Sequence, residues 1–129
     1  MPLPPRRVQV LIVDDDGALR FIVRRVLKRY PDISVVGEAE SGEEACWCME
    51  QLEPSVILMD INMPTMDGIE ATRRIKQMNS RVGIVGFTLI EDDTKLAAMK
   101  EAGARLIVKK DRLYEDLYEA LITSVPPTM

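Results

Sequence analysis

Hydrophobic positions change their period along this chain. Val8 to Val13 is a run of apolar, mostly β-branched residues, whereas from Ala18 to Tyr30 the apolar positions Leu19, Ile22, Val23, Val26 and Leu27 recur at spacings of three and four. The first pattern predicts a buried strand and the second a helix with one apolar face. The pair then repeats. Ile33 to Ala39 reads as a strand and Gly42 to Leu52 as a helix, opened by Ser41 and Glu44 at capping-box spacing. Val56 to Met59 predicts a third strand, separated by Pro64 and Asp67-Gly68 from a helix over Ile69 to Met78. Val82 to Phe87 and Asp92 to Ala102, the latter stopped at Gly103, make the fourth pair, and Arg105 to Lys109 with Leu113 to Ser124 the fifth.

Strands this apolar cannot face water, so five strand–helix units imply a parallel sheet with helices on both faces and right-handed crossovers. The expected fold is α/β: a doubly wound, five-stranded parallel sheet in three layers, with the flavodoxin-like order 2-1-3-4-5. The 129 residues suffice for one core, so a single domain is expected over about residues 7–124, with the proline-bearing stretches 1–6 and 125–129 as tails or linker. Apolar runs fall far short of the roughly 20 residues a membrane helix needs, and no signal-peptide pattern opens the chain, so the expectation is a cytoplasmic protein without membrane contact. A formal net charge of −4 argues against bulk attraction to nucleic acid or anionic lipid. Positive charge nevertheless concentrates at Arg20, Arg24, Arg25, Lys28 and Arg29, as a partner face or a solvated one. Cys46 and Cys48 sit two apart on a predicted helix, where their side chains diverge and cannot pair. The absence of histidine removes every mechanism built on a histidine base or ligand of the chain's own.

In a doubly wound sheet, ligands bind beyond the carboxyl ends of the strands, near the point where strand order reverses. The residues there are Asp14-Asp15-Asp16 after the first strand, Asp60 after the third, Thr88 after the fourth and Lys109-Lys110 after the fifth. Glu38-Ala39-Glu40, on the edge strand, is expected to contribute little. Carboxylates converging from different strands repel, by roughly 4 kcal/mol for two charges about 4 Å apart at an effective dielectric of 20. A hard divalent cation such as Mg²⁺ relieves this and favours one or two carboxylates plus phosphate oxygens. Cation, lysine and hydroxyl together suit a phosphoryl group passing through a negatively charged transition state, with an aspartate as nucleophile. Taken singly, each residue also has an ordinary role, and Asp16 in particular suits a helix N-cap.

The runs Val10-Leu11-Ile12-Val13-Asp14-Asp15, Val56-Ile57-Leu58-Met59-Asp60-Ile61-Asn62-Met63-Pro64 and Met66-Asp67-Gly68, followed by Phe87-Thr88 and Val108-Lys109-Lys110, resemble the response-regulator receiver domains of two-component systems, with their CheY-like fold. The resemblance covers about residues 7–124. It implies that Asp60 is the phosphoacceptor, supplied by a sensor histidine kinase or a small phosphodonor. Asp14, Asp15, Asp60 and the main-chain carbonyl of Asn62 would hold Mg²⁺, with Mn²⁺ as a substitute. Thr88 and Lys110 would grip the phosphoryl group, Lys110 rather than Lys109 because of its distance from Gly103 and the acidic residue after it. Asn62 and Ile90 would flank the site and tune hydrolysis.

Val35-Val36-Gly37-Glu38-Ala39 and Lys110-Asp111 are most similar to receivers joined to helix-turn-helix domains of the LuxR and NarL type, which implies transcription regulation through an output domain or a homodimer. Two positions depart from the family pattern. Ile107 stands where an aromatic switch residue is usual, and Leu89 is larger than the residue common after the threonine, which would narrow access. Two other readings compete. Asp14-Asp15-Asp16-Gly17 fits the opening of haloacid-dehalogenase-like phosphatases, with Asp14 as nucleophile and Asp16 as acid, although Ala18 replaces their usual threonine. The other is a binding module with the fold and no phosphorylation.

Overall fold

The computed structural model describes residues 7–89 and 91–127. Its elements are β1 (Val8–Val13), α1 (Gly17–Leu27), β2 (Ile33–Ala39), α2 (Gly42–Leu52), β3 (Val56–Asp60), α3 (Gly68–Met78), β4 (Gly83–Thr88), α4 (Asp93–Ala102), β5 (Leu106–Lys109), a 3-10 turn (Lys110–Arg112) and α5 (Leu113–Ser124). All pairings are parallel and the strand order is β2-β1-β3-β4-β5, the flavodoxin-like order.

Strand alternation splits the apolar residues into two cores, one on each side of the sheet. Leu11, Val13, Ile57, Met59 and Ile84 pack with Ala45, Met49, Ala71, Ile75 and Met99 from α2, α3 and α4. Val10, Ile12, Leu58, Val85 and Phe87 pack with Val23, Leu27, Leu117 and Leu121 from α1 and α5. Because β1, β3 and β4 are covered on both faces, their ends can present polar groups only at the rim.

Side-chain caps fix where the helices start: Asp16 accepts from Ala18 and Leu19, Ser41 from Glu44, Asp67 from Glu70, and Asp92 from Thr94 and Lys95. Helix α1 stops at Leu27, short of the Tyr30 that its periodicity suggests. Pro31 disfavours helical backbone at Tyr30, and the Tyr30 ring stacks on Tyr118 of α5 with centroids 3.9 Å apart. Strand β2 contains an irregularity: Val10 pairs with Val35 but Leu11 with Gly37, so Val36 is an extra residue. Residues 1–6 and 128–129 of the expected tails lie outside the described residues. The stretch 125–127 is tied down instead: Val125 packs on the α1/α5 core and Arg81 Nη2 donates to the Pro127 carbonyl at 2.6 Å.

Candidate functional site

The last residues of β1, β3 and β4 and the turn after β5 lie at one end of the sheet. Asp14 follows β1 and is 1% exposed; its main-chain N–H donates to the Ala39 carbonyl of β2 at 3.0 Å. Its Oδ1 accepts from the Asp16 N–H at 2.9 Å, closing a turn that leaves Asp15 exposed. Asp60 ends β3, is 3% exposed, and accepts from the Asn62 N–H at 3.2 Å through Oδ1. Carboxylate oxygens of Asp14, Asp15 and Asp60 all lie within 4.8 Å of one another.

Lys110 reaches this cluster from the 3-10 turn. Its Nζ lies 2.8 Å from Asp14 Oδ2 and 3.3 Å from Asp60 Oδ1, and 5.3 Å from the centroid of the Phe87 ring. Lys109 goes elsewhere, pairing with Glu91 before α4. Thr88, 1% exposed, ends β4 beside β3: its neighbour Phe87 is the register partner of Asp60, and the Ile61 N–H donates to the Phe87 carbonyl at 3.1 Å. Asp14 and Asp60 are thus in contact with Lys110, with Asp15 beside them and Thr88 on the adjoining strand end.

Electrostatically the cluster is short of positive charge. Burial and the neighbouring Asp14 push the Asp60 carboxyl up to about 7, against the partial opposition of Lys110 and the Asn62 N–H. Burial alone would draw the Lys110 ammonium down, but the hydrogen bonds and charges of Asp14 and Asp60 outweigh it and its pKa is raised. Asp14 Oδ2 is buried, and among the described residues it is compensated by that ammonium alone, 2.8 Å away. One cation for two buried carboxylates and a third at the rim suits a hard metal ion. On octahedral Mg²⁺, ligand oxygens stand about 3 to 4.2 Å apart, so the 4.8 Å cluster needs only a small contraction.

A glycine fixes the height of Asp60. A Cβ on Gly68 would lie 1.9 Å from the Asp60 carbonyl oxygen, so the start of α3 sits directly on the chain carrying the acid. Two further side chains touching the site's frame are invisible to motif reading. Arg20 Nη1 donates to the Asp14 carbonyl at 2.6 Å while its Nε donates to Glu38 at 2.9 Å, so the edge strand, expected to contribute little, is linked to the site through Arg20. Lys95 of α4 donates to Asn62 Oδ1 at 2.9 Å. Of the basic residues on α1, Arg20 and Arg24 are both engaged by Glu38. Asp16, the acid of the phosphatase reading, is committed to capping α1. Leu89 is 72% exposed and so is not packed into the site, and Ile107 packs half-buried on the α2–α4 core. Ile90 lies outside the described residues.

Known proteins resemble this chain in sequence and fold. Residues 10–122 match the family model described as "Response regulator receiver domain". The chain is 36% identical over 112 residues to the nitrate/nitrite response regulator protein NarL of Escherichia coli K12, covering 87% of this chain and 52% of NarL. It is 34% identical over 114 residues to the response regulator GacA of Pseudomonas protegens, covering 88% and 54%. It thus spans about half the length of these curated relatives. A crystal structure of a LuxR-family two-component response regulator from Aurantimonas superposes with a TM-score of 0.82 at 29% identity, over 92% of this chain and 88% of that one. With its strand order, its rim of acids and a family match over nearly its whole length, the chain belongs to the receiver domains of two-component response regulators.

Proposed function

We propose that this receiver is a phosphorylated switch: Asp60 takes a phosphoryl group from the phosphohistidine of a sensor kinase, or from a small phosphodonor, in a Mg²⁺-dependent reaction. The observation that carries this is the convergence of Asp14, Asp15 and Asp60 with Lys110 Nζ at the carboxyl end of the sheet. An oxygen of Asp60 forms the bond to phosphorus as the bond from phosphorus to the donor nitrogen breaks, and the electron pair returns to the donor's imidazole. Asp14, Asp15, Asp60 and the Asn62 carbonyl would hold Mg²⁺ or Mn²⁺, which supplies positive charge to the phosphoryl oxygens. Lys110 then exchanges its contact with Asp60 for a phosphoryl oxygen, and Thr88 donates to another.

The consequence is a shift of population rather than turnover. Moving an equilibrium from 1:99 to 99:1 takes about 5.5 kcal/mol. Charge-assisted bonds from Lys110 and Thr88, at about 1.5–3 kcal/mol each, approach that figure. Among the described residues no helix is long and apolar enough to cross a membrane, in keeping with a switch working in the cytoplasm beside its kinase. Output passes to a second copy or to a helix-turn-helix domain of the same regulator.

Incubation with acetyl phosphate and Mg²⁺, followed by intact mass, tests the reading. One phosphoryl group should be gained by the wild type and none by Asp60→Asn. Incorporation that survives Asp60→Asn, or none in the wild type, refutes it.

A further inference from the structure

We propose that Arg20 is a positioning residue for the metal site, aimed by Glu38 of the edge strand, and that this pair sets how well the Asp14–Asp15 turn holds a divalent cation. The inference rests on the reading of the acidic cluster as a cation site and extends it to residues outside the cluster itself. Both main-chain polar groups of Asp14 are bound from β2: the N–H directly, by the Ala39 carbonyl at 3.0 Å, and the carbonyl indirectly, by Arg20 Nη1 at 2.6 Å. Arg20 is held in turn by Glu38 Oε1 at 2.9 Å, and Arg24 takes the other carboxylate oxygen at 2.8 Å, so Glu38 cannot swing away without breaking two ion pairs. The Arg20 side chain is only 18% exposed. A planar fork with one edge on a carboxylate and the other on a carbonyl has little freedom left. Asp14 and Asp15 are thereby presented at a fixed angle.

The sign of the effect separates positioning from charge. Removing a positive charge near a cation site strengthens cation binding on charge grounds alone, whereas loosening the turn weakens it. Mn²⁺ affinity of the whole chain, titrated by electron paramagnetic resonance, is therefore measured for the wild type, Arg20→Met and Glu38→Gln. Amide hydrogen exchange at Asp14 and Asp16 in the metal-free proteins is the second readout. Both variants should bind Mn²⁺ about 10-fold more weakly or worse, and their Asp14 and Asp16 amides should exchange faster than in the wild type. Should Arg20→Met fail to fold, amide exchange in Glu38→Gln decides, because the loss of a negative charge weakens Mn²⁺ binding on charge grounds alone. Unchanged or tighter Mn²⁺ binding by a folded Arg20→Met, or unaltered exchange at these amides, overturns the positioning role. Absence of Mn²⁺ binding by the wild type overturns the metal reading of the cluster instead, whatever the amides show.

Discussion

Replacing Asp60 by Asn should stabilise the metal-free protein even as it abolishes phosphate uptake. Burial and Asp14 raise the Asp60 carboxyl from its ordinary 3.8 to about 7, a value that already includes the attraction of Lys110. At about 1.36 kcal/mol per pKa unit, ionising this group in the folded chain costs about 4 kcal/mol relative to the unfolded chain. Asparagine keeps the shape and an acceptor for the Asn62 N–H while carrying no charge. We expect about 2–4 kcal/mol of net gain at pH 8. The folded value lies above the unfolded one, so the wild type is handicapped only where the acid must ionise. Its deficit against Asp60→Asn is absent below about pH 4, grows as pH rises, and levels off above about pH 7. Urea unfolding with a chelator at pH 5 and pH 8 measures this directly, and added Mg²⁺ should stabilise the wild type far more than the variant. Equal or lower stability of Asp60→Asn at pH 8, or a gain that does not depend on pH, would refute the account of the cluster as a site short of positive charge.

Other perturbations test separate links. Gly68→Ala should destabilise the fold and weaken Mn²⁺ binding together, since its Cβ would stand 1.9 Å from the Asp60 carbonyl oxygen and the backbone must move; a crystal structure of a stable variant with Asp60 undisplaced counts against this. Thr65 has φ 68°, the left-handed region that a β-branched residue adopts only under strain. Thr65→Gly should therefore raise the urea midpoint, with relief of about 1 kcal/mol offset in part by glycine's unfolded-state freedom. Thr88→Ala should still accept phosphate from acetyl phosphate but show a smaller phosphorylation-induced change in its NMR shifts on β4 and α4. Equal loss of both would remove Thr88 from signal transmission.

The strands were readable because those buried on both faces leave nearly unbroken apolar runs, and four of the five strand ends carry residues whose chemistry is pointed. Helix α1 was overextended because the periodic stripe continues toward Tyr30 while Pro31, a single residue, ends it. The part Glu38 plays is hidden for a more instructive reason. Its partner Arg20 lies on α1, and the extra residue Val36 changes which side chains of β2 face that helix, so the residue that meets Arg20 cannot be found by counting. Lys95 was hidden in the same way: its hydrogen bond to Asn62 depends on how α4 leans over the β3–α3 turn. Residues at strand ends were legible because topology places them. Those that steady the strand ends depend on register and tilt, which leave no local pattern.

The turn carrying Lys110 has a consequence for how the protein is made. Its ammonium is the cation that meets Asp14 and Asp60, yet a ribosome delivers it only after the two acids and most of the sheet have emerged. A nascent chain lacking that final stretch must carry mutually repelling acids at its rim, so the balanced pocket comes into being only when the C-terminal segment docks. A chain cut before β5 would therefore lose both its edge strand and the counter-charge that makes the pocket tolerable.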